Sequence, residues 1–349
     1  MKALFLAGDR GIRLQPLTDK VPKPMVPIMN KPLLERTMVH LKKSGISEIV
    51  ISSCYKPEYI QDYFGNGKQL GLKIQYAAED IALGTGGAIR NAAAHFSDTF
   101  IVFNSDILSD CDIQKMLDYH KSRHALATIA VTDAQDTSAY GVIESDTEGY
   151  AASFVERPKK EQNTSNFIDA GIYIFEPEIF DQIPSNSVVS VERETLPKLL
   201  ANGHKIAVYK DNSYWIDMRT HENYMQVHQD IMDRKCKIGD KKLTIGNISL
   251  GKNVKIHPNA KIIGPACIGD NVEIGEGAII TRSVIGNNVS IGRGSRVTGS
   301  ILWDNIVLSS EVRLLKCIVT SNCFINQNLN YLNSVYANTI NLRKAPVTR

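Results

Sequence analysis

The sequence predicts two architectures in one chain: an α/β domain on a mostly parallel sheet over residues 1–235, and a solenoid of short parallel strands over residues 236–349. Two patterns carry this reading. Apolar runs alternate with amphipathic stretches through the first part, and a six-residue beat runs through the second. The composition supports both, because 43% of the 349 residues are hydrophobic and 22% charged. A chain of that length and make-up has no need of disorder and has room for two domains.

Apolar runs at 3–7, 49–52, 73–76, 100–103 and 127–131 are nearly unbroken, as strands covered on both faces require. Between them the pattern predicts helices over 32–43, 57–64, 88–95 and 112–123. In the first of these Leu34, Met38 and Leu41 share a face. Strand and helix in alternation predict a sheet with helices on both sides. A further helix over 220–235 closes this domain.

From about Ile245 the units read GKNVKI, HPNAKI, IGPACI, GDNVEI, GEGAII, then GNNVSI and GRGSRV, and more loosely WDNIVL, SSEVRL and SNCFIN. Their fourth residues (Val254, Ala260, Ala266, Val272, Ala278, Val289, Ser295, Ile306) are small or aliphatic. Most sixth residues are aliphatic, from Ile256 to Val297. Gly recurs near each unit's start, where the chain must turn with unusual φ. Six residues per side suit flat faces of short strands with alternate residues inward, and TRSVI and TGSIL fit as corner deletions. An antiparallel sandwich would need strands of uneven length.

Forty Lys plus Arg against 37 Asp plus Glu leave +3 with no basic stripe, so no nucleic-acid partner is expected. No apolar run approaches the ~18 residues of a membrane span. The start, MKALFLAG, meets Asp9 and Arg10 too soon to be a signal peptide. The six cysteines (54, 111, 236, 267, 317, 323) form no CxxC, so neither a zinc site nor a disulfide framework is expected and the location predicted is cytoplasmic.

The first strand runs into GDRGIRLQPLTDKVPKPMVPIMNKP. A loop with Gly8 and Gly11 after a first strand is where a phosphate-binding turn belongs, though it is neither a P-loop nor GxGxxG. Arg13 offers a bidentate guanidinium, and Lys23, between Pro22 and Pro24, a point charge on a stiffened backbone. The same residues also read as a tight turn bearing solvated charges. Asp106 and Asp217 end the apolar segments FNSD and YWID, a position that suits a Mg²⁺ ligand and equally a turn- or helix-capping Asp. LGTGGAIRN at 83–91 is a glycine-rich turn whose bare backbone can approach a ligand. His120 and His124 read as a polar helix face.

The run LAGDRGIRLQPLTDKVPKPMVPIMNKP resembles the signature of sugar-1-phosphate nucleotidyltransferases (nucleotide-sugar pyrophosphorylases), most of all the mannose-1-phosphate guanylyltransferases that carry a C-terminal hexapeptide-repeat β-helix. The resemblance spans essentially the whole chain. It implies a Rossmann-like nucleotidyltransferase domain followed by a left-handed parallel β-helix, and the reaction NTP + sugar 1-phosphate → NDP-sugar + pyrophosphate with Mg²⁺. By the same resemblance Arg13 and Lys23 are catalytic, and Leu6, Ala7, Gly8, Gly11, Glu79, Gly84 and Thr85 hold the nucleotide. Gly141, Glu156, Arg157 and Asp169 hold the sugar phosphate, and Asp106 and Asp217 the metal. Chemistry adds a base preference at Glu79. A carboxylate only accepts hydrogen bonds, so it matches the two adjacent donors of guanine and clashes with a pyrimidine's flanking acceptors. GTP is therefore the expected NTP, with Glu79 as a plain surface charge the other reading.

Several positions depart from the family pattern: Asp9 for Gly, Ile12 for Thr, Ser105 for Gly, Arg157 for Lys, Asp169 for Asn, and MRTH after Asp217 for IGTP. An anion at Asp9 beside a triphosphate is expected to weaken its binding by about 1–2 kcal/mol. Arg157 and Asp169 leave the sugar open among mannose, heptose and glucose 1-phosphates, with GTP, UTP or dTTP. The altered loop also leaves open a catalytically silent regulatory or scaffolding homologue. A homodimer or higher homo-oligomer through the β-helix is the expected assembly.

Overall fold

The computed structural model describes residues 1–158, 165–238, 247–326 and 329–337; the expected start of the repeat at Ile245 and the predicted domain end, 338–349, lie outside them. The chain divides into two compact units. One comprises Met1–Arg10, Val21–Met25 and Thr37–Asp217; the other comprises Gly11–Lys20, Val26–Arg36 and Met218–Arg349.

In the first unit β1 (Lys2–Leu6), β2 (Glu48–Ser53), β3 (Lys73–Ala78) and β4 (Phe100–Asn104) follow the predicted apolar runs. They lie parallel in the order β4-β1-β2-β3, with Leu4 opposite both Val50 and Val102. The connections carry α1 (Leu33–Lys43), α2 (Pro57–Phe64) and α3 (Gly84–Asn91). Pro57 suits the first position of α2, where its missing N–H is not needed. Helix α3 begins at Gly84, ahead of the predicted 88, because the Val189 carbonyl accepts the N–H groups of Gly86 (2.8 Å) and Gly87 (3.2 Å).

The chain then forms β5 (Ile107–Ser109), α4 (Ile113–Arg123), β6 (Ala127–Asp133), β7 (Gly141–Ser145), β8 (Ala151–Glu156), β9 (Phe167–Phe175), α5 (Leu196–Ala201), β10 (Ile206–Lys210) and β11 (Trp215–Asp217). The sheet is parallel-rich on the β1 side. Beyond β4 it turns mostly antiparallel, since β9 runs against β4, β6 and β7, and β8 against β7, while β10 lies parallel to β6. β7 and β8 are joined by a tight turn at Gly149 (φ 86°), and strands joined that closely pair antiparallel. Leu4, Val50, Val102, Ile129 and Tyr173 lie in one buried cluster, with Phe100 stacked on Phe180 at 5.2 Å.

His120 does not lie on a polar face. It is buried under α4, with Nδ1 2.7 Å from Thr128 Oγ1 and Nε2 3.0 Å from Glu176 Oε1. His124 ends α4 in the left-handed region (φ 47°).

The second unit holds α6 (His221–Met232), capped by Thr220, whose hydroxyl accepts the Asn223 N–H at 3.2 Å. Its repeats form three parallel sheets. Lys261 pairs with Ile279 and Ile279 with Arg296, so coils of 18 and then 17 residues stack, as corner deletions require. Val272, Ala278, Val289, Ser295 and Ile306 are buried as expected, whereas Ile256 is exposed, because its first coil has a neighbour on one side only among the described residues. One corner of each coil is an Asn with positive φ, from Asn253 to Asn271, Asn288, Asn305 and Asn322. Each side-chain amide donates to the next Asn at 3.0–3.2 Å, a ladder that only a short polar side chain tolerant of this conformation can build.

Candidate active site

The site begins where β1 stops. The Leu6 carbonyl accepts the Ser105 N–H (3.2 Å) and hydroxyl (2.6 Å), and the Ala7 N–H donates to the Ser52 carbonyl at 2.8 Å. Ser105, a departure from the family pattern, thus anchors the loop from its neighbouring strand. A Cβ on Gly8 would lie 3.3 Å from Cys54 Sγ and 3.9 Å from Glu79 Oε1, so this loop and Glu79 face one another. Glu79 is not a surface charge. It is 9% exposed; its Oε1 accepts the Ser52 hydroxyl at 2.7 Å and its Oε2 the Leu83 N–H at 3.1 Å. Each carboxylate oxygen keeps a second lone pair for an incoming donor.

Beside this loop lies a charged cluster. β11 pairs antiparallel with β5, placing Asp217 opposite Ile107 and so next to Asp106. The buried Lys23 ammonium lies 2.6 Å from Asp106 Oδ2 and 3.3 Å from Asp9 Oδ2. Burial pulls the Lys23 pKa down, but Asp106, Asp9 and Asp217 outweigh it and the net shift is upward, so the ammonium stays charged. Three carboxylates around one ammonium leave two negative charges in excess. That donor set fits a hard divalent cation, which takes one or two carboxylates and completes its shell with phosphate and water oxygens. Among the described residues no group of three or more His, Cys, Asp or Glu forms a self-sufficient metal cage.

Asp9 therefore does not stand as a lone anion: it shares Lys23 with Asp106. Replacing it by Gly is expected to release Lys23 toward phosphate and to lower the KM for NTP about fivefold, which corresponds to about 1 kcal/mol for one partly screened ion pair. Initial rates against NTP concentration check this, and an unchanged or raised KM would contradict it.

The glycine-rich turn also serves the packing of its own chain. A Cβ on Gly84 would lie 2.6 Å from the Val189 carbonyl oxygen, and one on Gly87 2.5 Å from that of Ser187. Those glycines let the 187–189 segment approach, and the amides of Gly86 and Gly87 are spent on Val189. Thr85 donates to Glu192 Oε2 at 2.7 Å and accepts the Val191 N–H at 2.9 Å.

Gly141, Glu156, Arg157 and Asp169 come together on the antiparallel side. A Cβ on Gly141 would meet Phe154 Cζ at 2.6 Å and Glu156 Oε2 at 3.0 Å. Arg157 has left-handed backbone (φ 51°) and pairs with Glu156 (Nε to Oε1, 3.2 Å). Asp169 is buried, its Oδ1 accepting the Gly171 N–H at 2.8 Å and its Oδ2 lying 2.5 Å from the Tyr173 hydroxyl oxygen. Gly11 and Arg13 belong to the second unit. There Gly11 turns with φ 65° and its carbonyl accepts the Thr18 hydroxyl at 2.8 Å, while Arg13 is exposed on the turn Ile12–Leu14.

Comparison with known proteins is decisive at this point. The family model described as Nucleotidyl transferase matches residues 2–234. The chain belongs to that family. A second model, the LbH domain of EIF2B subunit epsilon, matches residues 245–337, so the stacked parallel coils are a left-handed β-helix. The mannose-1-phosphate guanylyltransferase of Mycobacterium tuberculosis is 37% identical over 284 residues, covering 81% of this chain and 79% of the relative. A UTP–glucose-1-phosphate uridylyltransferase of Synechocystis is 32% identical over 319 residues, covering 81% and 82%. The crystal structure of HddC from Yersinia pseudotuberculosis complexed with GMP-PN matches with TM-score 0.58 at 29% identity, covering 66% of this chain and 99% of that one.

In this nucleotidyltransferase, sequence reasoning missed two site-side residues. Glu192 sits in a π-helical turn (Val191–Thr195) and accepts from Thr85 and Ser190, both at 2.7 Å. Read along the chain, VERET is an ordinary charged stretch with no local mark of its partners. Trp215 donates from Nε1 to the Ala170 carbonyl at 2.9 Å and packs edge-on to Tyr140 at 5.6 Å, tying the Asp217 strand to β9. No helix among the described residues is long and apolar enough to cross a membrane.

Proposed function

We propose that this nucleotidyltransferase transfers GMP from GTP to a sugar 1-phosphate, mannose 1-phosphate first among them, giving GDP-sugar and pyrophosphate. The observation that carries the base choice is Glu79, a buried acceptor-only group beside the Gly8 loop with both oxygens oriented by Ser52 and Leu83. Guanine supplies the two parallel donors such a group needs. In this reading Leu6, Ala7, Gly8, Gly11, Gly84 and Thr85 are assigned to the nucleotide. Gly141, Glu156, Arg157 and Asp169 hold the sugar phosphate.

A sugar phosphate is already an anionic nucleophile, so no general base is required. The residues must align it in line with the α-phosphorus and offset the charge that accumulates there. Arg13 and Lys23 are assigned to the triphosphate and Arg157 to the attacking phosphate. Asp106 and Asp217 would hold a divalent cation, Mg²⁺ being the one proposed, which supplies Lewis-acid neutralisation of phosphate oxygens when bound. The catalytic domain is assigned to residues 1–235 and the β-helix domain to 236–349, in a cytoplasmic protein that assembles through the β-helix. Exposed apolar pairs stacked between coils, Val307 with Phe324 and Leu315 with Leu332, support that last assignment.

The uridylyltransferase relative motivates a second reading, in which glucose 1-phosphate and a pyrimidine nucleotide are the substrates. Pyrophosphate release with Mg²⁺ across a grid of NTPs, dTTP and sugar 1-phosphates separates the two. Glu79→Gln is expected to lower kcat/KM for GTP by 10- to 100-fold, about 1–3 kcal/mol, because its amide N–H₂ then opposes a guanine donor. A pyrimidine preference in the parent protein would overturn the base assignment, and no turnover from folded protein would favour the catalytically silent reading.

A further inference from the structure

Resting on the assignment of Asp169 to the sugar phosphate, a second property of that subsite follows from its hydrogen atoms. The Tyr173 hydroxyl oxygen lies 2.5 Å from Asp169 Oδ2 and 3.4 Å from Glu192 Oε1. A phenol has one hydrogen, so it can donate to only one of two carboxylates. If it donates to Asp169, the Glu192 contact has none; if it turns to Glu192, the short Asp169 contact sets two bare oxygens together. One added proton on Asp169 satisfies both, with Asp169 donating to the phenol oxygen and the phenol to Glu192.

We propose that Asp169, Tyr173 and Glu192 hold one proton beyond the phenol's own, that Asp169 is thereby neutral when the sugar phosphate binds best, and that losing this proton weakens sugar-phosphate binding. The charged groups around Asp169 agree. Glu192 faces it from the π-helical turn and Glu156 from the end of β8, with Tyr173 on its own strand; Arg157, which follows Glu156 in the chain, is paired with that carboxylate. With Asp169 ionised, three carboxylates and one guanidinium meet a dianionic substrate; with it neutral, one of those repulsions is gone. Burial, and then Glu192, push the Asp169 pKa up to about 7, and burial with the same carboxylates pushes that of Tyr173 upward too, so it keeps its proton.

The family's usual Asn offers the control. Asp169→Asn is nearly isosteric, its carbonyl can accept the Gly171 N–H, and its amide can donate to the phenol oxygen, so it fixes the neutral arrangement. With half-titration near 7, the neutral fraction falls about tenfold between pH 6 and pH 8. The KM of the wild-type protein for mannose 1-phosphate, at saturating GTP and Mg²⁺, is therefore expected to rise about tenfold over that range relative to Asp169→Asn. Taking the ratio cancels the substrate's own ionisation, and the KM for GTP is expected to move alike in both proteins. Infrared difference spectra of the substrate-free protein between pH 6 and pH 8 are expected to show a carboxylic-acid band that the variant lacks. Absence of that band, or equal pH dependence of KM in the two proteins, overturns the shared proton. A band without turnover of any sugar 1-phosphate would leave the proton standing and overturn the substrate assignment instead.

Discussion

Asp106→Asn and Asp217→Asn are each expected to reduce Mg²⁺-dependent turnover by three orders of magnitude or more while the protein stays folded. Three carboxylates surround Lys23, and the cluster carries two negative charges in excess. Each Asn removes one of those charges and replaces a hard oxygen anion by a neutral amide, which a hard divalent cation binds far more weakly. Removing a transition-state charge clamp is worth about 4 kcal/mol in phosphoryl chemistry, hence roughly a thousandfold. The fold should survive because Asn is close in volume to Asp and the β5–β11 pairing that positions Asp217 uses backbone groups. Thermal unfolding of both variants and rates against Mg²⁺ concentration check the two halves of this expectation. If either variant keeps its rate and its metal dependence, that carboxylate is not a metal ligand. Lys23→Met provides the contrast: it takes away the cation, so residual turnover should still rise with Mg²⁺.

Much of this was legible along the chain, for reasons that differ by residue. The strands β1, β2 and β4 are largely apolar and buried along most of their length, and that pattern is local, whereas the edge strand β3 alternates buried and exposed residues. The β-helix declares itself through repetition, since each coil must present the same corner and the same inward residue. Strands β7 and β8 are less apolar, and β9, though apolar and buried, runs against β4, β6 and β7, whose residues lie far off in sequence, so no local periodicity announces that antiparallel half. The same limit applies to the site. Asp106 and Asp217 end strands and stand out, but that β11 pairs with β5 is a long-range fact. Glu192 reaches Thr85 across 107 positions, and nothing in VERET marks it. The glycines of 83–87 carry a second requirement that their spacing does not show: Ser187 and Val189 of the same chain pack where a Cβ on Gly84 or Gly87 would lie. Asp9 is legible as a departure from the family pattern, but its pairing with Lys23 is a contact across fourteen positions that the loop does not announce.

Acidification below about pH 6.5 is expected to weaken the second unit through a single buried imidazole. His228 on α6 is fully buried, with its ring edge-on to Tyr224 at 4.8 Å and its Nδ1 3.4 Å from the Met29 N–H. Around it Tyr224 donates to the Pro27 carbonyl at 2.7 Å, Arg36 to the carbonyls of Ile28 (3.0 Å) and Met29 (2.7 Å), and Trp303 of the β-helix to the Tyr224 hydroxyl at 2.9 Å. Burial first, and then the Arg36 charge, push the His228 pKa down to about 3 against the Pro27 carbonyl's upward pull. The unfolded chain takes up a proton below about pH 6.5, while the folded one refuses it until about pH 3. Unfolding therefore binds a proton throughout that window, and stability falls as pH falls, by about 1.4 kcal/mol per pH unit. Between pH 6.5 and pH 4.5 the loss is about 2.3 kcal/mol, roughly fiftyfold in the folding equilibrium. His228→Asn keeps an acceptor for the Met29 N–H but cannot titrate. It should be less stable than the wild type at pH 7.5, and the gap should close as the pH drops, because only the wild type carries the extra slope. Denaturant midpoints for the two proteins from pH 7.5 to pH 4.5 decide it. Parallel curves would mean that His228 takes its proton in the folded state as readily as in the unfolded one, and that Arg36 and burial together do not hold it neutral.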